Sequence, residues 1–181
     1  MSADAEVLSW AFDGPRGRLP LHCVFRFDRE VPREFDLYFW TISQGGRLRP
    51  LSEYRIQAKL PDGASNLRFG NGVTALLGYY VAGEDRSEAS REVNVPPEME
   101  LFVAWDAAAH LKVGKSSSCQ VAYSLMYEAY LQGRAQMNRT LASGSRETVV
   151  AFRPARLSEY LRTAVRSHVL APSTGPAAGD R

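Results

Sequence analysis

Between residues 53 and 60 the chain alternates without a break, setting apolar Tyr54, Ile56, Ala58 and Leu60 against polar Glu53, Arg55, Gln57 and Lys59. A period of two sends the two sets to opposite faces of a strand, one buried and one facing water. The preceding run, Phe35–Ile42, is apolar on both faces and rich in aromatics, which predicts a central strand. A connector with Gly45, Gly46 and Pro50 joins the two runs into an expected hairpin. Leu21–Phe27 reads as a half-buried strand, Val73–Val81 and Glu100–Trp105 as buried ones, and Glu147–Phe152 as another. Gly78 inside Val73–Val81 predicts a bulge or bend. Residues 1–20 read as mostly irregular, with Trp10 and Phe12 tucked against the core as an arm or strand.

Further on, the period changes. Val121, Leu125, Met126 and Ala129 share one helical face, predicting a helix from Ser118 to about Gln132, capped by Ser117 or Ser118 and stopped by Gly133. Residues 133–146 read as a basic connector. Pro154 suits the first position of a second helix that runs to about Val169. Residues 83–97 are acidic and closed by two prolines, a surface excursion. The expected fold is α+β: a mainly antiparallel, curled or barrel-like sheet with two packed helices. It is expected to form a single domain over residues 1–170, with 171–181 as a disordered tail or linker.

Composition changes this picture little. Twenty-two Lys and Arg against 20 Asp and Glu give a net charge of +2, so no strong field is implied for the whole chain. The charges are unevenly placed, with acids crowded over residues 84–100 and arginines over 153–166, so a basic face remains open to nucleic acid. Cys23 and Cys119 have no ligand or pairing spacing and read as free thiols. His22 and His110 stand without neighbouring ligands, which argues against zinc, and no GxSxG is present. No stretch resembles a signal peptide or a membrane span, so the expected location is cytoplasmic.

Three candidate constellations follow. On the polar face of the 53–60 strand, Arg55, Gln57 and Lys59 are side chains that read base edges and phosphates, with Arg47 and Arg49 beside them in the connector. The plain alternative is an ordinary solvated strand face. In KVGKSSSCQ, Lys112, Lys115 and Ser116 crowd the N-terminus of the expected helix, a place that favours phosphate. A serine cap on a solvated loop explains the same residues equally well. Finally, Asp36 followed by Gln57 and Lys59 imitates a Mg²⁺-dependent nuclease site, although Gln57 stands where a second acid would normally bind metal.

The order SEYRIQ, ALLGYY, ELFVAWDAAAHLKVGKSSSCQV and ETVVAFRPARLSEYL, over roughly residues 35–165, resembles a module of bacterial restriction proteins. Such modules precede HNH nuclease domains or stand beside methyltransferases. The resemblance implies a DNA-recognition or modification-reading domain with a pseudo-barrel fold. It further implies a nuclease or methyltransferase as a separate subunit or as part of a longer protein. The expected function is therefore double-stranded DNA recognition in a restriction or phage-defence system, with no cofactor. The alternatives are a Mg²⁺-dependent restriction endonuclease using Asp36, Gln57 and Lys59, and a protein-interaction subunit without nucleic-acid binding.

Overall fold

A computed structural model of the chain describes residues 5–14, 18–44, 50–60, 73–84 and 94–169. The strands are β1 (Ala5–Gly14), β2 (Arg18–Phe27), β3 (Arg33–Thr41), β4 (Ser43–Gln44), β5 (Glu53–Lys59), β6 (Val73–Val81), β7 (Glu100–Trp105), β8 (Ser116–Ala122), β9 (Arg134–Thr140) and β10 (Arg146–Phe152). The helices are α1 (Ala107–His110), α2 (Tyr123–Gln132) and α3 (Leu157–Val169). Seven strands form one sheet in the order β1-β2-β3-β6-β7-β10-β9, and a smaller sheet runs β4-β5-β8. Among the described strands, β3 and β6 pair in parallel and the other strand pairs are antiparallel. The fold is α+β as expected. Both sheets are open rather than closed into a barrel.

The large sheet is covered on both faces, which is why β3, β6 and β7 read as nearly continuous apolar runs. On one face Tyr38, Leu76, Tyr80, Leu101, Val103 and Trp105 meet Tyr54, Ile56 and Ala58 of β5, Cys119 and Val121 of β8, and the buried side of α2. On the other, Phe25, Phe27, Phe35, Leu37, Leu77 and Phe152 lie under α3, whose Tyr160 ring stacks on Phe152 at 4.7 Å. Gly78 is regularly paired, opposite Trp40 and Val103, so the expected bulge is absent there. Its role is close packing, because a Cβ would come within 2.6 Å of Ile42 and 2.9 Å of Trp105.

Four further expectations are corrected. The N-terminal region holds a ten-residue strand, and its Trp10 and Phe12 are largely exposed instead of tucked into the core. The runs 35–42 and 53–60 make no hairpin, since β3 and β5 belong to different sheets. The helix expected from Ser118 begins only at Tyr123, because Ser116–Ala122 forms β8. Its N-cap is Ala122, with no side-chain bond; the Tyr123 N–H donates to the Ser52 carbonyl at 2.8 Å. Residues 134–140 form β9 where a connector was expected, because pairing with β10 satisfies their backbone. The stops and starts at Gly133 (φ 85°) and Pro154 are as read from the sequence. Arg47 and Arg49, the 67–69 run, most of the 83–97 excursion and the 171–181 tail lie outside the described residues.

Candidate nucleic-acid interface

The burial of Tyr54, Ile56 and Ala58 fixes which way the rest of β5 points. Arg55, Gln57 and Lys59 therefore leave the small sheet on its outer side. Pairing with β8 sets Gln120 opposite Arg55, Ser118 opposite Gln57 and Ser116 opposite Lys59, while Ser43 of β4 lies on Arg55's other flank. The Gln57 amide nitrogen donates to Ser116 Oγ. Arg55 has no ion-pair partner among the described residues. Exposed Lys112 and Lys115 lie in the turn just ahead of β8, and a bridge between Leu60 and Val113 holds that turn against the end of β5. Five residues expected on two separate features, Gln57, Lys59, Lys112, Lys115 and Ser116, thus gather at one end of one surface. Arg55 and Gln120 extend that surface along the sheet. The helix N-terminus proposed for Lys112, Lys115 and Ser116 does not exist; they precede or begin a strand.

Beneath this surface lies a second polar cluster. Glu147, fully enclosed at the head of β10, accepts from Arg139 Nε at 2.6 Å and from the Asp106 N–H at 3.0 Å. His110 at the end of α1 joins Glu147 through Nε2 (2.8 Å) and Ser117 Oγ through Nδ1 (2.8 Å). Arg139 Nη1 and Trp105 Nε1 both donate to the Gln120 carbonyl, at 2.8 and 3.0 Å, so the cluster clamps β8 from inside. Burial alone pushes the Glu147 carboxyl up, but its bonds and charge contacts with His110 and Arg139 together hold it below its ordinary value. The Cys119 thiol, on the inner side of β8, is raised to about 12 by burial and by Glu147.

The histidines are thus not isolated, as the sequence led us to expect. His110 pairs with Glu147, and His22 Nδ1 lies 2.9 Å from Asp36 on the neighbouring strand. That second pair bears on the nuclease reading. Asp36 is buried in the large sheet, whereas Gln57 and Lys59 point away from it on the outer side of the small one. The three are not brought together, and they offer no shared position for Mg²⁺. Among the described residues, no group of three or more His, Cys, Asp or Glu is placed to hold a metal ion.

Residues that sequence reasoning missed carry readable signals. Glu147 shares the inward parity of Val149 and Ala151, so a carboxylate on a buried face was visible. Gln120 was hidden by the helix assignment, though SSSCQVA alternates as a strand does.

A model of the methylase-associated X1 family matches residues 33–161. The chain belongs to that family. The methylase-associated X1 match runs from β3 into α3 and so includes β5, β8 and the buried cluster, while β1 and β2 lie before it. No curated protein and no solved structure matches the chain. Among the described residues no helix is long and apolar enough to cross a membrane.

Proposed function

We propose that this methylase-associated domain recognises double-stranded DNA within a bacterial restriction–modification or phage-defence system, using the outer face of β5 and β8. The observation that carries the reading is Arg55, a guanidinium with no ion-pair partner among the described residues, centred in a row of outward polar side chains. A buried carboxylate partner would have made it structural; an arginine without an acidic partner among the described residues suits a guanine edge or a phosphate. Lys59, Lys112 and Lys115 at the end of the row supply phosphate contacts, which position the duplex without reading it. Family membership supports the setting, a partnership with a methyltransferase.

The test is fluorescence anisotropy with a random-sequence duplex at rising salt. Neutralising several phosphates makes affinity fall steeply as salt rises, because condensed counterions are released. Absence of binding to any duplex at low salt overturns the reading.

A second reading, as a protein-interaction subunit, is favoured by one observation. Val7, Trp10 and Phe12 are exposed on the edge strand β1, with Trp10 67% accessible, and they precede the family match. Its occupant would be the methyltransferase of the same system. Trp10→Ser with Phe12→Ser should abolish a complex between the two purified proteins while leaving DNA binding intact; an unchanged complex overturns it.

A further inference from the structure

We infer that the outer face of β5 and β8 distinguishes adenine from N6-methyladenine, with Gln57 and Gln120 as the specificity-determining residues; this rests on the DNA-binding reading above. The register carries the argument. Gln120 lies opposite Arg55, and Gln57 is two residues along β5 on the same side. Same-face residues on a strand are roughly 7 Å apart, close to two base-pair steps of about 3.4 Å. Gln57 is therefore spaced to address a base pair two steps away from the one that Arg55 and Gln120 face, through one groove.

The amides are prepared for that task in different ways. Gln57 spends one N–H on Ser116 Oγ, which fixes its amide plane and leaves the carbonyl oxygen and the second N–H for a ligand. Gln120 has no side-chain hydrogen bond among the described residues, while its backbone carbonyl is held by both Trp105 and Arg139. Its side chain thus rises from a fixed point with its full bonding capacity unused.

Adenine offers an amide the matching pair in the major groove, a donor at N6 and an acceptor at N7. In a base pair, one N6–H is committed to thymine and the other faces the groove. A methyl group on N6 cannot take the pairing position without breaking the pair, so it takes the groove position. It then removes the proton that the glutamine oxygen would accept and puts a carbon in its place. An amide reader is left with an unpaired acceptor against a methyl group, a loss comparable to meeting the wrong base.

The experiment uses two duplex pools of one random sequence, made by polymerase copying with either dATP or N6-methyl-dATP. Sequences enriched from the first pool are assayed in both forms by anisotropy. We expect the methylated form to bind about ten-fold more weakly, the order of one lost bidentate contact. Gln57→Ala with Gln120→Ala, both on the surface, should bring the two forms within two-fold while circular dichroism stays unchanged. Equal affinity of the wild-type protein for both forms, with salt-dependent binding retained, overturns this inference and leaves the DNA-binding reading standing. Tighter binding to the methylated form, or a preference that survives the double substitution, overturns the assignment to these residues. No binding to either pool overturns the DNA-binding reading itself.

Discussion

On β8, Ser117 faces inward and Ser116 and Ser118 face outward, so one tripeptide samples both environments of the domain. Inside, Ser117 bonds to His110, His110 to Glu147, and Glu147 to Arg139 and the Asp106 backbone. The polar side chains there meet partners, as burial demands. Outside, Gln57 and Ser116 are joined, but the side chains of Arg55 and Gln120 have no hydrogen-bond or ion-pair partner among the described residues. Ser118 is the exception on that side: its Oγ is covered rather than open to a ligand, and has no hydrogen-bond partner among the described residues. Saturated groups hold a structure in place, and unsaturated ones on a rigid strand are available to a ligand. The two sides of one strand should therefore respond to mutation in opposite ways: inner changes on stability, outer ones on binding.

The largest effect is expected at Glu147. Glu147→Ala leaves Arg139 without its counter-charge and His110 without its hydrogen-bond partner, and should cost about 3–5 kcal/mol in urea unfolding. A loss below 1 kcal/mol would mean that the cluster does not hold β8. The same residue gives a pH test. Its folded carboxyl lies below the ordinary value of 4.5, so its contribution is complete above that pH and is lost as pH falls through the folded value. The stability gap between wild type and Glu147→Gln should therefore close on acidification below pH 4.5. A gap that widened in acid would reverse the sign assigned here.

Arg55→Ala comes next, and it should separate the two sides cleanly. It is expected to weaken the preferred duplex by roughly 1–3 kcal/mol, to affect random DNA little, and to leave unfolding within about 0.5 kcal/mol of wild type. Equal loss on both DNAs would make Arg55 a phosphate contact. Lys115→Ala should weaken all sequences alike and lower the salt slope by about 1; a change in sequence preference alone would remove Lys115 from the phosphate-binding end. The smallest contrast is the serine pair. Ser117→Ala removes a bond to His110 and should cost about 1 kcal/mol, whereas Ser118→Ala deletes an unpartnered hydroxyl and should be neutral or slightly stabilising. Equal costs would erase the distinction between the faces.

Much of this contrast was legible from pattern alone. The alternation over 53–60 assigned Tyr54 and Ile56 to the core and Arg55 and Gln57 to the surface, and the structure places them so. The match of a methylase-associated family over residues 33–161 agrees with the methyltransferase-associated part of the restriction-protein resemblance. What could not be read was pairing. A strand's period says which side is buried, not which neighbour it has, so β5 was joined to β3 when its partners are β4 and β8. Val121 fits both a helical and a strand period, and choosing the helix concealed Gln120. The His110–Glu147 contact joins residues 37 apart and leaves no mark in local spacing.

The route of the chain gives the outer face a history as well as a shape. β5 is laid down in the crossover between the parallel strands β3 and β6, yet its second neighbour, β8, comes only after β7 and α1; Gln57 and Ser116 are 59 residues apart. Closing so long a loop is slow compared with local helix or hairpin formation. As the chain leaves the ribosome, Arg55 and Gln57 emerge early but have no platform until Ala122 has followed them. The surface is thus assembled by two distant parts of one polypeptide, and no chain that stops short of β8 can display it.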